Sequence, residues 1–123
     1  MSEIDQLPPN VQERIARLQQ LQNMLQTLVA QKQRLEIELS ETDRALKTLE
    51  GVTSGTKVYQ SVGAILVEKP KEDVVKELGE RKEFLEMRTK AMGKQEDKTR
   101  ERLTALQQTL QKELNLQPGP IEP

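Results

Sequence analysis

Apolar residues recur over positions 11–49 in two interleaved series, each with a spacing of seven. With Val11 set as position a of a heptad, the a positions are Val11, Leu18, Leu25, Lys32, Leu39 and Leu46. The d positions are Arg14, Leu21, Leu28, Leu35, Thr42 and Leu49, so nine of the twelve are apolar. That is the narrow seam of a coiled coil, not the broad stripe of a helix on a globular core. Asn10 and Glu13 have the form of a capping box, Pro9 suits the entry turn and Gly51 the exit. A first helix over 10–50 is predicted. Lys32 inside the seam reads as a residue whose stem carries its ammonium out to water, or as a register-setting device.

A second series follows Pro70. Its d positions are Leu78, Leu85, Met92, Thr99 and Leu106, and its a positions Val75, Lys82, Thr89, Glu96, Leu103 and Leu110; seven of the eleven are apolar. The seam is polar around 89–99, and Gly79 and Gly93 weaken it further. Glu72 and Asp73 place acids in the first turn, and a second helix over 71–115 is predicted. Glu77–Arg81 and Glu86–Lys90 have the favourable i,i+4 order for ion pairing. At about 1.5 Å per residue, each arm is roughly 60–65 Å long. Equal arms with a short connector predict an antiparallel pair within one chain, because a tethered partner is present at high effective concentration. Pairing of each arm with a copy of itself is the alternative.

The connector, 51–70, is the one stretch rich in β-branched and aromatic residues. Val58, Gln60 and Val62 alternate with Tyr59 and Ser61, and Gly63 is the expected turn, since a tight hairpin needs positive φ. Two strands alone are marginal in water and leave unpaired edges. The segment is therefore expected to complete a larger sheet with other subunits, through Val58, Tyr59, Val62, Gly63, Ile65, Leu66 and Val67. A local hairpin folded back on the helices is the alternative. Residues 1–9 and the Pro-rich 116–123 read as tails without regular structure, in which Ile4, Leu7 and Ile121 are possible apolar contacts.

Composition sharpens the picture. Ala, Glu, Lys, Leu and Arg make up 58 of the 123 residues, aromatics are 2% and charged residues 32%. This is coiled-coil composition, short of the large apolar groups a compact interior needs. With no Cys and no His, thiolate zinc sites, disulfides and His-activated nucleophiles are excluded. An enzyme is not expected, nor a cofactor or metal. The longest apolar run, 62–67, is far too short for a membrane span, and no signal-peptide pattern opens the chain. A cytoplasmic protein is expected. The net charge of −1 is spread evenly, and Lys98, Arg100 and Arg102 are interleaved with acids, which argues against a nucleic-acid partner.

Two helical arms around Lys57-Val58-Tyr59-Gln60-Ser61-Val62-Gly63-Ala64-Ile65-Leu66-Val67, with Leu7-Pro8-Pro9-Asn10-Val11-Gln12 at the start and Gln31-Lys32-Gln33 mid-arm, resemble the β-type subunit of archaeal prefoldin. The resemblance covers essentially the whole chain, and the waist is its most specific part. It implies a hexamer of two α-type and four β-type subunits, whose hairpins merge into a double β-barrel carrying six coiled coils. It also implies an ATP-independent holdase that captures unfolded polypeptides at the coiled-coil tips and passes them to a group II chaperonin. In an antiparallel pair the two chain ends meet, bringing Val11, Ile15 and Leu18 near Leu103, Leu106, Leu110 and Leu114. These seven are the candidate client-binding residues, on the expectation that the helices splay there. Ordinary closed seam is the competing reading, and for the protein as a whole the rival is a coiled-coil scaffold or tether without client binding.

Overall fold

The computed structural model describes residues 3–116, with side chains from Asp5 to Asn115. Ile121 and the side chain of Ile4 lie outside these. A 3-10 turn, Glu3–Gln6, precedes helix α1, Pro9–Glu50. Strands β1, Val58–Val62, and β2, Ile65–Lys69, follow, and helix α2, Lys71–Leu116, ends the described chain. Two long helices with a two-stranded antiparallel hairpin between them are the fold the periodicity predicts.

Both helices start in the same way. The carbonyl of Pro8 accepts from the amides of Val11 (3.0 Å) and Gln12 (3.0 Å), and that of Pro70 from Asp73 (3.1 Å) and Val74 (3.2 Å). Pro9 is thus the first residue of α1, where its missing N–H costs nothing, and Asn10 lies inside the helix. In place of the expected Asn10–Glu13 capping box, the Pro8 carbonyl takes the first-turn amides, and the Gln12 side-chain amide ties down the preceding segment by donating to the carbonyls of Leu7 (2.7 Å) and Asp5 (3.2 Å). Residues 3–6, expected as unstructured tail, are part of this turned-back segment. At its other end α1 stops with Gly51 donating to the Thr48 carbonyl at 3.2 Å and Val52 to that of Leu49 at 3.1 Å. Gly51 keeps ordinary negative φ, so the helix tightens to a close without a left-handed residue.

The chain divides into two compact units. In the unit Gln31–Met92, Thr42 and Leu49 of α1 and Val74 and Leu85 of α2 are buried. Leu35, Leu39, Leu46, Leu78 and Thr89 are half-buried around them. The helix segments run antiparallel: Arg81 pairs with Glu38, Lys82 Nζ with Asp43 Oδ1 at 2.8 Å, and Lys71 Nζ donates to the Val52 carbonyl. The i,i+4 pairs expected on α2 do not form. Arg81 reaches across to Glu38, the Glu77 carboxylate takes Lys69 at 3.2 Å, and Glu86 lies 4.0 Å from Lys82, not against Lys90. Val75, assigned to the seam, is exposed and Val74 is buried in its place. The chain enters α2 with Lys71 held by Val52, just beyond the end of α1, so the connection sets the first turn and the heptad takes over from Leu78.

In the unit of residues 1–30 and 93–123, Val11, Leu21 and Leu28 of α1 and Glu96, Thr99 and Leu110 of α2 are buried. Arg14 and Glu113 form an ion pair between the helices, and Glu96 accepts from Arg100 one turn on at 3.0 Å. The polar seam residues Thr42 and Thr99 are satisfied within their own helices, donating at 2.8 Å to the carbonyls of Glu38 and Gln95. Thr89 Oγ1 is buried without a hydrogen-bond partner. Such a buried hydroxyl costs stability that an apolar seam residue would not.

Candidate functional site

The hairpin is built on the register Val58↔Lys69, Tyr59↔Glu68, Gln60↔Val67, Ser61↔Leu66 and Val62↔Ile65. Only Gly63 and Ala64 connect the strands. Gly63 has φ 58° and no other described residue has positive φ, the sign pattern of a type II′ turn. Alternation puts Val58, Gln60, Val62, Ile65, Val67 and Lys69 on one face, and Tyr59, Ser61, Leu66 and Glu68 on the other. The first face is half-covered at Val58 and Val67 and open toward the turn at Val62 and Ile65. The second is open throughout, with Tyr59 54% and Leu66 71% exposed. The residues assigned to one oligomerisation segment thus occupy both faces of the ribbon. Gln60, among the valines of the first face, has its amide oxygen buried without a partner. Among the described residues, neither outer strand edge has a partner.

All seven candidate client-binding residues lie in one unit, so the structure brings the two chain ends together, with Arg14 and Glu113 bridging them. They are not splayed. Val11 is 1% and Leu110 5% exposed, and Ile15, Leu18, Leu103, Leu106 and Leu114 are half-buried. On the described helices the exposed large apolar groups lie elsewhere, at Met24, Ile37, Val75, Phe84 and Met87. All but Val75 occupy heptad positions outside a and d, so the same register marks them as lying off the seam.

Electrostatics adds little chemistry. The hydrogen bond to Asp43, then its charge, raises the Lys82 pKa above the usual 10.5, against desolvation and with a smaller push from the Glu86 charge. Among the described residues no His, Cys, Asp or Glu groups are placed to hold a metal ion, and no helix is long and apolar enough to cross a membrane. The surface presents helix faces and an open ribbon.

A seamed two-helix hairpin with an uncovered strand ribbon defines a coiled-coil assembly subunit. Comparison with known proteins makes the class specific. A family model described as prefoldin subunit matches residues 12–117. Prefoldin subunit beta of Archaeoglobus fulgidus is 48% identical over 114 residues, covering 93% of this chain and 98% of that protein. The corresponding protein of Pyrobaculum islandicum is 38% identical, covering 95% of this chain and 94% of its own. The crystal structure of the prefoldin beta subunit from Thermococcus strain KS-1 superposes with a TM-score of 0.79 at 38% identity, covering 91% of this chain and 96% of that one. The beta2 subunit of the same strain, at 22% identity and a TM-score of 0.67, shares the fold. This chain belongs to the prefoldin subunit family, among its beta-type members, a family of coiled-coil chaperones acting in protein folding.

Proposed function

We propose that this chain is the β-type subunit of an ATP-independent holdase. Four copies join two α-type subunits, their hairpins merging into a shared β-barrel platform. The helix ends capture unfolded polypeptides in the cytoplasm and release them to a group II chaperonin. The observation that carries the assembly is the uncovered ribbon: Leu66 71% and Tyr59 54% exposed on one face, Val62 and Ile65 open on the other, and both edges unpaired. Neighbouring strands remove both liabilities at once. Ile65→Asp puts a charge into that interface, and the expected outcome is monomer or aggregate by light scattering. An unchanged complex would refute the assignment.

Client capture rests on Val11, Ile15, Leu18, Leu103, Leu106, Leu110 and Leu114. Because Val11 and Leu110 are buried and the other five half-buried, capture is largely an exchange, in which a client side chain replaces a seam neighbour. Each apolar group buried is worth about 1.5–3 kcal/mol in either setting. The exchange is therefore close to balanced at one subunit, and several subunits acting together give tight but reversible holding. The rival reading, a scaffold that binds no client, draws on the burial of Val11 and Leu110. One experiment separates them: remove residues 1–16 and 108–123, co-express with an α-type partner, and measure both complex mass and suppression of aggregation of a denatured client. Loss of protection with the mass otherwise intact supports capture at the helix ends; full protection by the truncated complex overturns it.

A further inference from the structure

Outward positions of a two-helix pair are expected to be polar, and α2 breaks that rule within the unit Gln31–Met92. Phe84, the only phenylalanine of the chain, and Met87 lie one turn apart and are 43% and 64% exposed, next to the fully buried Leu85. The guanidinium groups of Arg81 and Arg88 lie 5.4 and 5.8 Å from the Phe84 ring centroid, holding the ring between two cations. Arg81 is neutralised by Glu38. Arg88 has no carboxylate within ion-pair distance among the described residues. Arg88 also borders a groove of about 260 Å³ between the helix segments, lined by Leu35, Met92, Gln31, Arg34 and Glu38, and the Glu38 carboxylate there is already taken by Arg81. Arg34 likewise lacks a carboxylate partner among the described residues. An apolar platform thus adjoins two uncompensated guanidiniums on one surface.

We propose that this surface docks an acidic amphipathic segment of a partner protein. Aliphatic side chains of the segment cover Phe84 and Met87, and two of its carboxylates meet Arg88 and Arg34, which are suited to bidentate capture. Charge selects the occupant. A basic or neutral segment of equal apolarity would desolvate both guanidiniums without pairing them, a cost that an acidic one avoids. The hairpin and the helix ends are not involved, so this site stands or falls apart from the assembly and capture readings.

The test uses the full-length chain in its purified complex and two fluorescent peptides with the same leucine spacing, one carrying Glu and one Lys at its polar positions. Anisotropy is expected to show binding of the acidic peptide, weakening as salt rises, and no binding of the basic one. Arg88→Gln and Arg34→Gln should each weaken the acidic peptide about tenfold, and Phe84→Ala at least as much, with circular dichroism and complex mass unchanged. The arginine variants leave the apolar platform intact, so they decide the matter if Phe84→Ala perturbs the helix. Equal binding of both peptides, or unaltered affinity in the two arginine variants, overturns the proposal. So does a fall in complex mass on Phe84→Ala without acidic-peptide binding, which would assign the patch to contact between copies.

Discussion

One substitution type, glycine to alanine, should change stability in opposite directions at different positions, and backbone conformation alone sets the sign. Gly79 and Gly93 lie within α2, and a Cβ built on either meets no atom within 4 Å. In a helix interior glycine is less favourable than alanine by about 0.8–1.0 kcal/mol. Each replacement should therefore stabilise by about 1 kcal/mol. The two sites are some 20 Å apart at about 1.5 Å per residue, far enough to be additive. Gly63 is equally uncrowded, but its φ is 58°. There an L side chain costs roughly 1–2 kcal/mol in left-handed backbone, so Gly63→Ala should destabilise by about that amount. The assay is thermal unfolding followed at 222 nm, at fixed protein concentration because assembly makes the midpoint concentration-dependent. For a chain of this size each 1 kcal/mol corresponds to about 4 °C. Gly79→Ala and Gly93→Ala should raise the midpoint by about that much each, and Gly63→Ala should lower it. A lower midpoint for Gly79→Ala would refute the reasoning and reveal a neighbouring chain packed against that glycine. A higher one for Gly63→Ala would refute the turn assignment.

The remaining expectations concern the seam and its charges. Leu85 is fully buried, so Leu85→Ala should destabilise by about 2–5 kcal/mol in chemical denaturation. Leu66→Ala, on the exposed ribbon, should lower complex mass by light scattering, and should lower the unfolding midpoint only through that loss of association. Lys82 has its pKa raised by Asp43. The sign follows from the raised pKa: the stability linked to Lys82 is fully present below 10.5 and is lost as pH rises through the elevated Lys82 pKa. An NMR titration of the Lys82 side chain should show its midpoint falling on Asp43→Asn; an unmoved midpoint would exclude the pair.

Much of the architecture was written in periodicity. All twelve positions assigned to the seam of α1 are buried or half-buried, because a repeat of seven is a property of the helix itself and needs no knowledge of what lies opposite. The same holds for the ribbon: alternation and one glycine fix the strand faces and the turn, since both follow from the dihedral angles of consecutive residues. The sequence also carried the family resemblance, concentrated in the waist, where few residue choices satisfy turn and strand together.

What needed the folded chain was everything that depends on residues distant in sequence. Arg81 had Glu77 at hand and chose Glu38; Val74 replaced Val75 because the link from α1 through Lys71 orients the first turn of α2. Val11 and Leu110 stand at seam positions, but whether the seam stays closed at the helix ends depends on the partner laid against it, and the fold buries both. Phe84 and Arg88 became a candidate surface only when the ring was found uncovered and the cation without a carboxylate. Local geometry is determined by neighbours along the chain, whereas exposure and charge pairing are determined by neighbours in space, and only tertiary structure decides which those are.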